Sequence, residues 1–305
     1  MSEFTETVLI TGGLGQVGYY TYLQLKENYN ICIIDNMSSS KSEVPEDVFF
    51  VKNDIQNKEC YSNLPDIDYI IHTAAQISVS KSVANPVFDA ENNIVGTLRL
   101  LDYAIKSKVK RFVHISSAAT YGQPQFLPIT EEHPRNPISP YGLSKLVSEK
   151  YVRLYSSLHN LDTVVIIPFN IYSPLQHADD PYAGVIYQFI NAIKHGEQFT
   201  IYGDGNQTRD FTHVSDVAYA IELALKEKKA ANQVINIGSG IPYSINELSN
   251  TLLNIANSKL HPLHSDARDA DIDESYCSIK RAQDILGYVQ TTSIENGLSE
   301  MFEKI

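Results

Sequence analysis

Apolar residues in the first half of the chain fall in short continuous runs. These are Val8-Leu9-Ile10, Ile31-Cys32-Ile33-Ile34, Val48-Phe49-Phe50-Val51, Asp68-Tyr69-Ile70-Ile71-His72, Arg111-Phe112-Val113-His114-Ile115 and Thr163-Val164-Val165-Ile166-Ile167. Between them the period changes. A helical stretch runs to about Lys26, and Asn93 to Ile105 carries apolar residues at helical spacing. Continuous apolar strands alternating with helices predict an α/β fold, a doubly wound parallel sheet covered on both faces. Such a sheet binds ligands beyond the carboxyl ends of its strands. Asp35, His72, Ser117 and Asn170 all fall at or just past a predicted strand end.

After about Pro168 the texture changes. Turn signals become frequent at Ser173-Pro174, Asp180-Pro181, Gly203-Asp204-Gly205 and Gly238-Ser239-Gly240. Val214–Lys226 still reads as a helix and Val234-Ile235-Asn236-Ile237 as a strand. The expected organisation is a sheet domain over residues 1–170, with returning segments near 210–238, and a smaller, discontinuous α+β lobe over most of 171–305.

Composition narrows the function classes. At 305 residues, 43% apolar and 20% charged, the chain has the make-up of a soluble globular protein. No apolar run approaches the roughly 18 residues of a membrane span. The polar, acidic start is unlike a signal peptide, so no membrane association is expected. Cys32, Cys60 and Cys277 are scattered without pairing or metal spacing, which makes a cytoplasmic setting the expectation. A net charge of −12 argues against a nucleic-acid partner. An anionic small ligand would need its own arginines.

Two constellations carry chemistry. Gly12, Gly15 and Gly18 follow the first strand and open the first helix, a spacing that lets backbone amides approach a pyrophosphate. Asp35 closes the next strand; an acid there accepts hydrogen bonds from both ribose hydroxyls and repels a 2′-phosphate, which favours NAD over NADP. Asp54 follows the third strand, where an adenine edge could be read, although a surface turn acid fits it too. Further on, Tyr141 and Lys145 lie one helical turn apart, and Ser117 ends the fifth strand. A free phenol, with a pKa of about 10, is a poor base at neutral pH. An ammonium one turn away is expected to lower that value. By itself the pair could equally decorate an exposed helix face; the glycine loop and the strand-end serine, in this order, point to proton transfer coupled to a dinucleotide.

These residues resemble the extended branch of the short-chain dehydrogenase/reductase superfamily, and within it the UDP-glucose (UDP-galactose) 4-epimerase group. The resemblance runs along nearly the whole chain, through Asp35-Asn36-Met37-Ser38-Ser39, His72-Thr73-Ala74-Ala75-Gln76, Asn93-Ile94-Val95-Gly96-Thr97, Ser116-Ser117-Ala118-Ala119-Thr120-Tyr121-Gly122, Pro140-Tyr141-Gly142-Leu143-Ser144-Lys145 and Ile201-Tyr202-Gly203-Asp204-Gly205 to Thr208-Arg209-Asp210-Phe211. It implies a Rossmann-type fold, NAD as cofactor and a UDP-sugar as substrate. It implies Tyr141 as base, Lys145 as its tuner and ribose ligand, and Ser117 as hydroxyl partner. The cofactor would be lined by Gly12, Gly15, Gln16, Val17, Gly18, Asp35, Asn36, Asp54, Ile55, Ala74, Ala75, Asn93 and Pro168, with Tyr141 and Lys145. The substrate would meet Ser117, Asn170, Val185, Tyr202 (stacked on uracil), Arg209, Arg268 and Ser275. Two arginines among these answer the charge question, since a guanidinium fork suits a diphosphate. The resemblance also implies a homodimer through the helices near Asn93–Ile105 and Tyr141–Tyr155.

The chain departs from the pattern in places. Ile167 stands where relatives often carry an arginine, and Asp266-Ala267 where they often carry a glycine-containing turn, which loosens the register of Arg268. By the same resemblance Ser275 falls near the position that limits the sugar pocket, where a small residue would leave room for an N-acetyl group. UDP-hexose 4-epimerisation is the leading reading. UDP-N-acetylhexosamine epimerisation, a nucleotide-sugar 4,6-dehydratase, a decarboxylase and a non-enzymatic NAD-binding role stand as alternatives. Ala118 and Ala119 after Ser117 supply no acid–base pair for a dehydratase. His261 and His264 are close in sequence without a third metal ligand, and Lys41 reads as a solvated loop charge.

Overall fold

The computed structural model describes residues 4–40, 42–176, 184–267 and 272–305. Arg268 and Lys41 lie outside the described residues.

The apolar runs form the strands of one sheet: β1 (Thr7–Thr11), β2 (Asn30–Asp35), β3 (Phe49–Lys52), β4 (Tyr69–His72), β5 (Arg111–Ile115) and β6 (Asp162–Pro168). Four short strands follow, β7 (Ile171–Tyr172), β8 (Thr200–Tyr202), β9 (Thr208–Arg209) and β10 (Thr212–His213). The chain then re-enters the main sheet as β11 (Gln233–Ile237), before β12 (Tyr243–Ser244), β13 (Leu263–Ser265) and β14 (Glu274–Ser275). The seven main strands are parallel, in the order β11-β6-β5-β4-β1-β2-β3. The order reverses between β1 and β4, so a crevice opens there beyond the strands' carboxyl ends.

Helices cover both faces. They are α1 (Gln16–Leu25), α2 (Val79–Ala84), α3 (Pro86–Ala90), α4 (Gly96–Lys106), α5 (Pro140–His159), α6 (Val185–His195), α7 (Val214–Lys226), α8 (Ile245–Ile255), α9 (Lys280–Leu286) and α10 (Ile294–Lys304). Strand periodicity divides the core in two. Val8, Ile10, Ile31, Ile33, Val113 and Ile115 face α1, α7 and α9; Leu9, Cys32, Ile34, Ile70, Phe112 and Val165 face α4 and α5. Full burial of a Val, Leu, Ile or Phe side chain contributes about 1.5–3 kcal/mol, so packing on both faces holds the sheet. α9 and the fully buried Tyr288 behind it also pack on the sheet, a second returning segment that the periodicity does not announce.

A third cluster builds the smaller lobe. Phe189 and Ile190 of α6 meet Leu248 and Leu252 of α8 and Leu298 and Met301 of α10. Its strands are two or three residues long and pair as β12-β9-β14, β13-β8 and β10-β7. The cysteines Cys32, Cys60 and Cys277 are free and buried. Among the described residues no helix is long and apolar enough to cross a membrane.

Candidate active site

The glycine loop turns β1 into α1 and fits an anionic dinucleotide. Gly12 has φ +69°, and a Cβ there would sit 2.7 Å from the Ala74 backbone at the end of β4. At Gly18 a Cβ would sit 2.2 Å from the Gly12 carbonyl oxygen. Only glycine lets loop, helix and strand approach so closely. No side chain caps the first turn of α1, where Gln16, Val17 and Gly18 lie. Its amides are left for a phosphate, with the helix dipole adding to the attraction. The Gln16 side-chain Nε2 is buried there without a partner. Asp35 at the end of β2 accepts from the Leu14 amide at 3.0 Å and the Met37 amide at 2.7 Å, which ties the loop to the strand end where a ribose is expected. Asn36 donates to Asp54 Oδ2 at 2.9 Å, and Asp54 Oδ1 accepts the Gln56 amide. Ala74, Ala75 and Ser117 follow β4 and β5, Ile55 follows β3, and Pro168 ends β6. All these positions lie on the same edge of the sheet. The residues present therefore fit NAD.

Helix α5 carries the second constellation. Ser139 caps it by accepting the Gly142 amide at 3.1 Å, Pro140 occupies its first turn, and Asn160, at φ +55°, ends it. The half-buried Tyr141 thus sits at the start of the helix, its amide donating to Ser82 Oγ at 3.1 Å. The Ser117 hydroxyl stands near enough to the phenol to act on its pKa. Lys145, one turn on, is buried and its Nζ donates to the Ile115 carbonyl at the end of β5.

The electrostatics correct one expectation. Burial raises the Tyr141 phenol above its ordinary pKa and Asp89 adds to the rise; the Ser117 hydroxyl is the group that opposes it. Lys145 does not draw the phenol down in this arrangement. Burial pushes the lysine itself down to about 8, against the pull of Asp89 and Glu149. Beneath it, burial depresses His72 to about 3 and His114 well below its usual range, so neither carries charge at neutral pH.

Asn93 lies on a π-helical turn, Glu91–Val95, that interrupts the predicted helix just before α4. Its Oδ1 accepts the Gln76 amide at 2.8 Å, and its Nδ2 donates to the Gln76 carbonyl, Asp89 Oδ1 and Ser144 Oγ. The wide turn exposes its carbonyl to the Thr97 and Ser148 hydroxyls, both at 2.6 Å. Sequence reasoning gave no role to Gln76 and Asp89 in this network, nor to Ser82, which accepts the Tyr141 amide.

The smaller lobe holds a cavity of about 410 Å3. Asn170, Val185, Tyr202 and Arg209 line it, together with Gln207 and Phe189, which the sequence did not single out. Asn170, at φ +26°, donates to the Asp210 carbonyl at 2.9 Å. Gln207 donates to the Tyr202 carbonyl at 2.8 Å. Arg209 Nη1 donates to the Thr208 and Ile272 carbonyls, at 2.8 and 2.6 Å, which anchors its guanidinium. Ser275 on β14 pairs directly with Arg209 but does not line this cavity. His261 and His264 are exposed, and among the described residues no group of three or more His, Cys, Asp or Glu is placed to hold a metal.

Known proteins share this fold. Residues 8–238 match the model of the NAD dependent epimerase/dehydratase family. A UDP-glucose 4-epimerase of Mycolicibacterium smegmatis is 34% identical over 307 residues, covering 97% of each chain. The structure of a Thermotoga maritima UDP-glucose 4-epimerase with UDP-glucose superposes with a TM-score of 0.93 at 33% identity, covering 98% of both chains. A UDP-N-acetylglucosamine 4-epimerase from Methanobrevibacter ruminantium M1, in complex with UDP-N-acetylmuramic acid, also gives 0.93 at 33% identity, covering 98% of this chain and 97% of the other. The chain is thus an NAD-dependent isomerase of the short-chain dehydrogenase/reductase type, and it belongs to the NAD dependent epimerase/dehydratase family.

Proposed function

We propose that the protein interconverts UDP-hexoses that differ at C4, UDP-glucose and UDP-galactose in the first place. The observation that supports this reading is that the Ser117 hydroxyl, just past β5 on the sheet edge where the glycine loop also ends its strand, acts on the Tyr141 phenol at the start of α5. NAD, when bound, supplies the two-electron acceptor that takes the C4 hydrogen and gives it back. Tyr141 Oη takes the proton from O4 during oxidation and returns it during reduction. Ser117 hydrogen-bonds the same oxygen and favours the ionised phenol. Lys145, below about pH 8, supplies a positive charge in a dry site. Arg209, with Arg268 as a second contact, holds the diphosphate, Tyr202 stacks on uracil, and Asn170 and Val185 border the sugar. The clamp acts on the nucleotide and leaves the keto sugar free to present its opposite face.

A second reading extends the substrates to N-acetylhexosamines. The relative crystallised with UDP-N-acetylmuramic acid has the same fold at equal similarity.

The protein is also proposed to act as a homodimer. Leu143, Leu154 and Leu158 on α5 and Val95 beside α4 are exposed, with Leu158 at 65%, on the helices that the family resemblance assigns to the subunit contact. Buried free thiols suit a reducing compartment.

Incubation with UDP-galactose and no added NAD is expected to give UDP-glucose, and UDP-N-acetylglucosamine to give its 4-epimer, from a species of dimer mass in sedimentation. A stable 4-keto-6-deoxy product, or carbon dioxide release from UDP-glucuronate, would replace the reading.

A further inference from the structure

Lys145 is a buried cation, and two buried carboxylates face it. Glu149 lies one turn further along α5. Its charge is answered by Arg135, whose Nη1 stands 3.4 Å away, and Ser116 Oγ donates to it at 3.3 Å. Asp89, on α3, is 1% exposed. Its Oδ1 accepts from the amides of Gln76, at 2.7 Å, and Asn93, at 3.2 Å. Among the described residues no cation stands within ion-pair distance of it. The remaining groups around Lys145 are His72 on β4 and His114 on β5, both neutral, together with Ser117 and Tyr141.

Burying a carboxylate costs several kcal/mol that two neutral amides do not return in full. An amide at position 89 could satisfy Gln76 and Asn93 equally well, so the hydrogen bonds alone do not explain an acid. The hydrogen bonds do show where it acts. Asn93 Nδ2 reaches from Asp89 to Ser144 Oγ at 3.0 Å, and Ser144 Oγ donates to the Tyr141 carbonyl at 3.0 Å. A continuous chain therefore runs from the carboxylate to the helical turn that holds both Tyr141 and Lys145.

We propose that Asp89 is a positioning residue for the Tyr141–Lys145 pair, its negative charge holding Lys145 as an ammonium and its Oδ1 fixing, through Asn93 and Ser144, the turn that aims the phenol. The inference rests on the reading of that pair as the proton-transfer groups. The sign of the effect follows from charge. Asp89 favours the protonated form of both neighbours, so removing its charge lowers the pKa of each. Both limbs of the activity profile, which report ionisation of the phenol and loss of the ammonium, therefore move to lower pH.

The test is Asp89→Asn, read in two ways. The 13Cε resonance of Lys145, assigned by its loss in Lys145→Met, is titrated in the NAD-bound protein without substrate. The pH profile of kcat for UDP-galactose is measured on the same sample. Expected are a fall of about one unit in the lysine midpoint and a like displacement of both limbs, with NAD retained; Asp89→Glu restores the midpoint at reduced kcat. Asp89→Ser serves the same comparison if the asparagine variant does not fold. A midpoint and limbs that stay in place, with kcat lowered evenly at every pH, would overturn the proposal. An unaltered protein inert toward every UDP-hexose would defeat the functional reading alone, because the lysine titration needs no substrate.

Discussion

The two halves of the site are built by different means. The cofactor half stands on long parallel strands with continuous cores on both faces, and its groups are backbone amides and short side chains at strand ends. The substrate half stands on strands of two or three residues, tied together by side chains that bond distant backbone. Asp210 is the centre of those ties. Its Oδ1 accepts from the Ser239 amide and hydroxyl, each at 2.7 Å, and its Oδ2 from the amides of Gly240, at 3.0 Å, and Cys277, at 3.2 Å. The cofactor half is held by packing on both faces of its sheet, whereas the substrate half adds to its own α6, α8 and α10 cluster a set of hydrogen bonds that join distant segments. Changes in the first should therefore alter chemistry with the fold intact. Changes in the second should alter binding and local order together.

The sharpest separation is Tyr141→Phe. The variant loses one hydroxyl on a half-buried ring at the start of α5 and keeps every backbone bond of the turn. A proton-transfer group contributes about 10²–10⁴-fold to rate, and kcat should fall by that much. Bound NAD, measured after denaturation of the purified protein, should stay stoichiometric, and Tm should move little. Full activity in this variant would remove Tyr141 from the chemistry.

How much of this the sequence discloses follows the same division. The seven-stranded parallel sheet could be read because each strand announces itself locally, by an apolar run and a turn. The glycine loop and the Tyr141–Lys145 turn were legible for the same reason, since their members are neighbours in the chain. Four of the expected substrate residues, Asn170, Val185, Tyr202 and Arg209, line one cavity. They were found by resemblance, because nothing in their local spacing specifies a pocket. Asp89 and Asp210 went unread. Each is an acid in an ordinary setting until the fold brings Asn93, 4 residues away, or Cys277, 67 residues away, against it. The fall and rise of pKa values also resisted the sequence. Spacing put an ammonium beside the phenol, but burial of both groups decides the direction.

The next largest effect belongs to Asp210→Asn. An amide gives up one of two acceptor oxygens and points N–H groups at backbone donors. Leaving one or two buried amides unpaired costs about 3 kcal/mol. Tm should drop by roughly 5–10 °C. UDP affinity, measured by calorimetry, should weaken at least tenfold, because the residue after Arg209 no longer anchors the 238–241 turn and Cys277. NAD occupancy should hold. An unchanged Tm with intact UDP binding would show that the substrate half draws its order from the α6, α8 and α10 cluster instead.

The smallest effect isolates a single recognition group. Arg209→Lys keeps the charge and loses the planar fork. In the present arrangement Nη1 is committed to the Thr208 and Ile272 carbonyls, so the guanidinium is anchored before a ligand arrives. A lysine ammonium has no such double anchor and meets a diphosphate as a point charge. The expected loss is about 1.4 kcal/mol, a tenfold rise in KM for the UDP-sugar. Here kcat should stay within about twofold, since the lost contact is made equally in ground and transition states. That split is the reverse of the Tyr141→Phe result. Should kcat fall along with affinity, the nucleotide clamp and the proton-transfer site would be mechanically coupled, and the two halves would have to be treated as one.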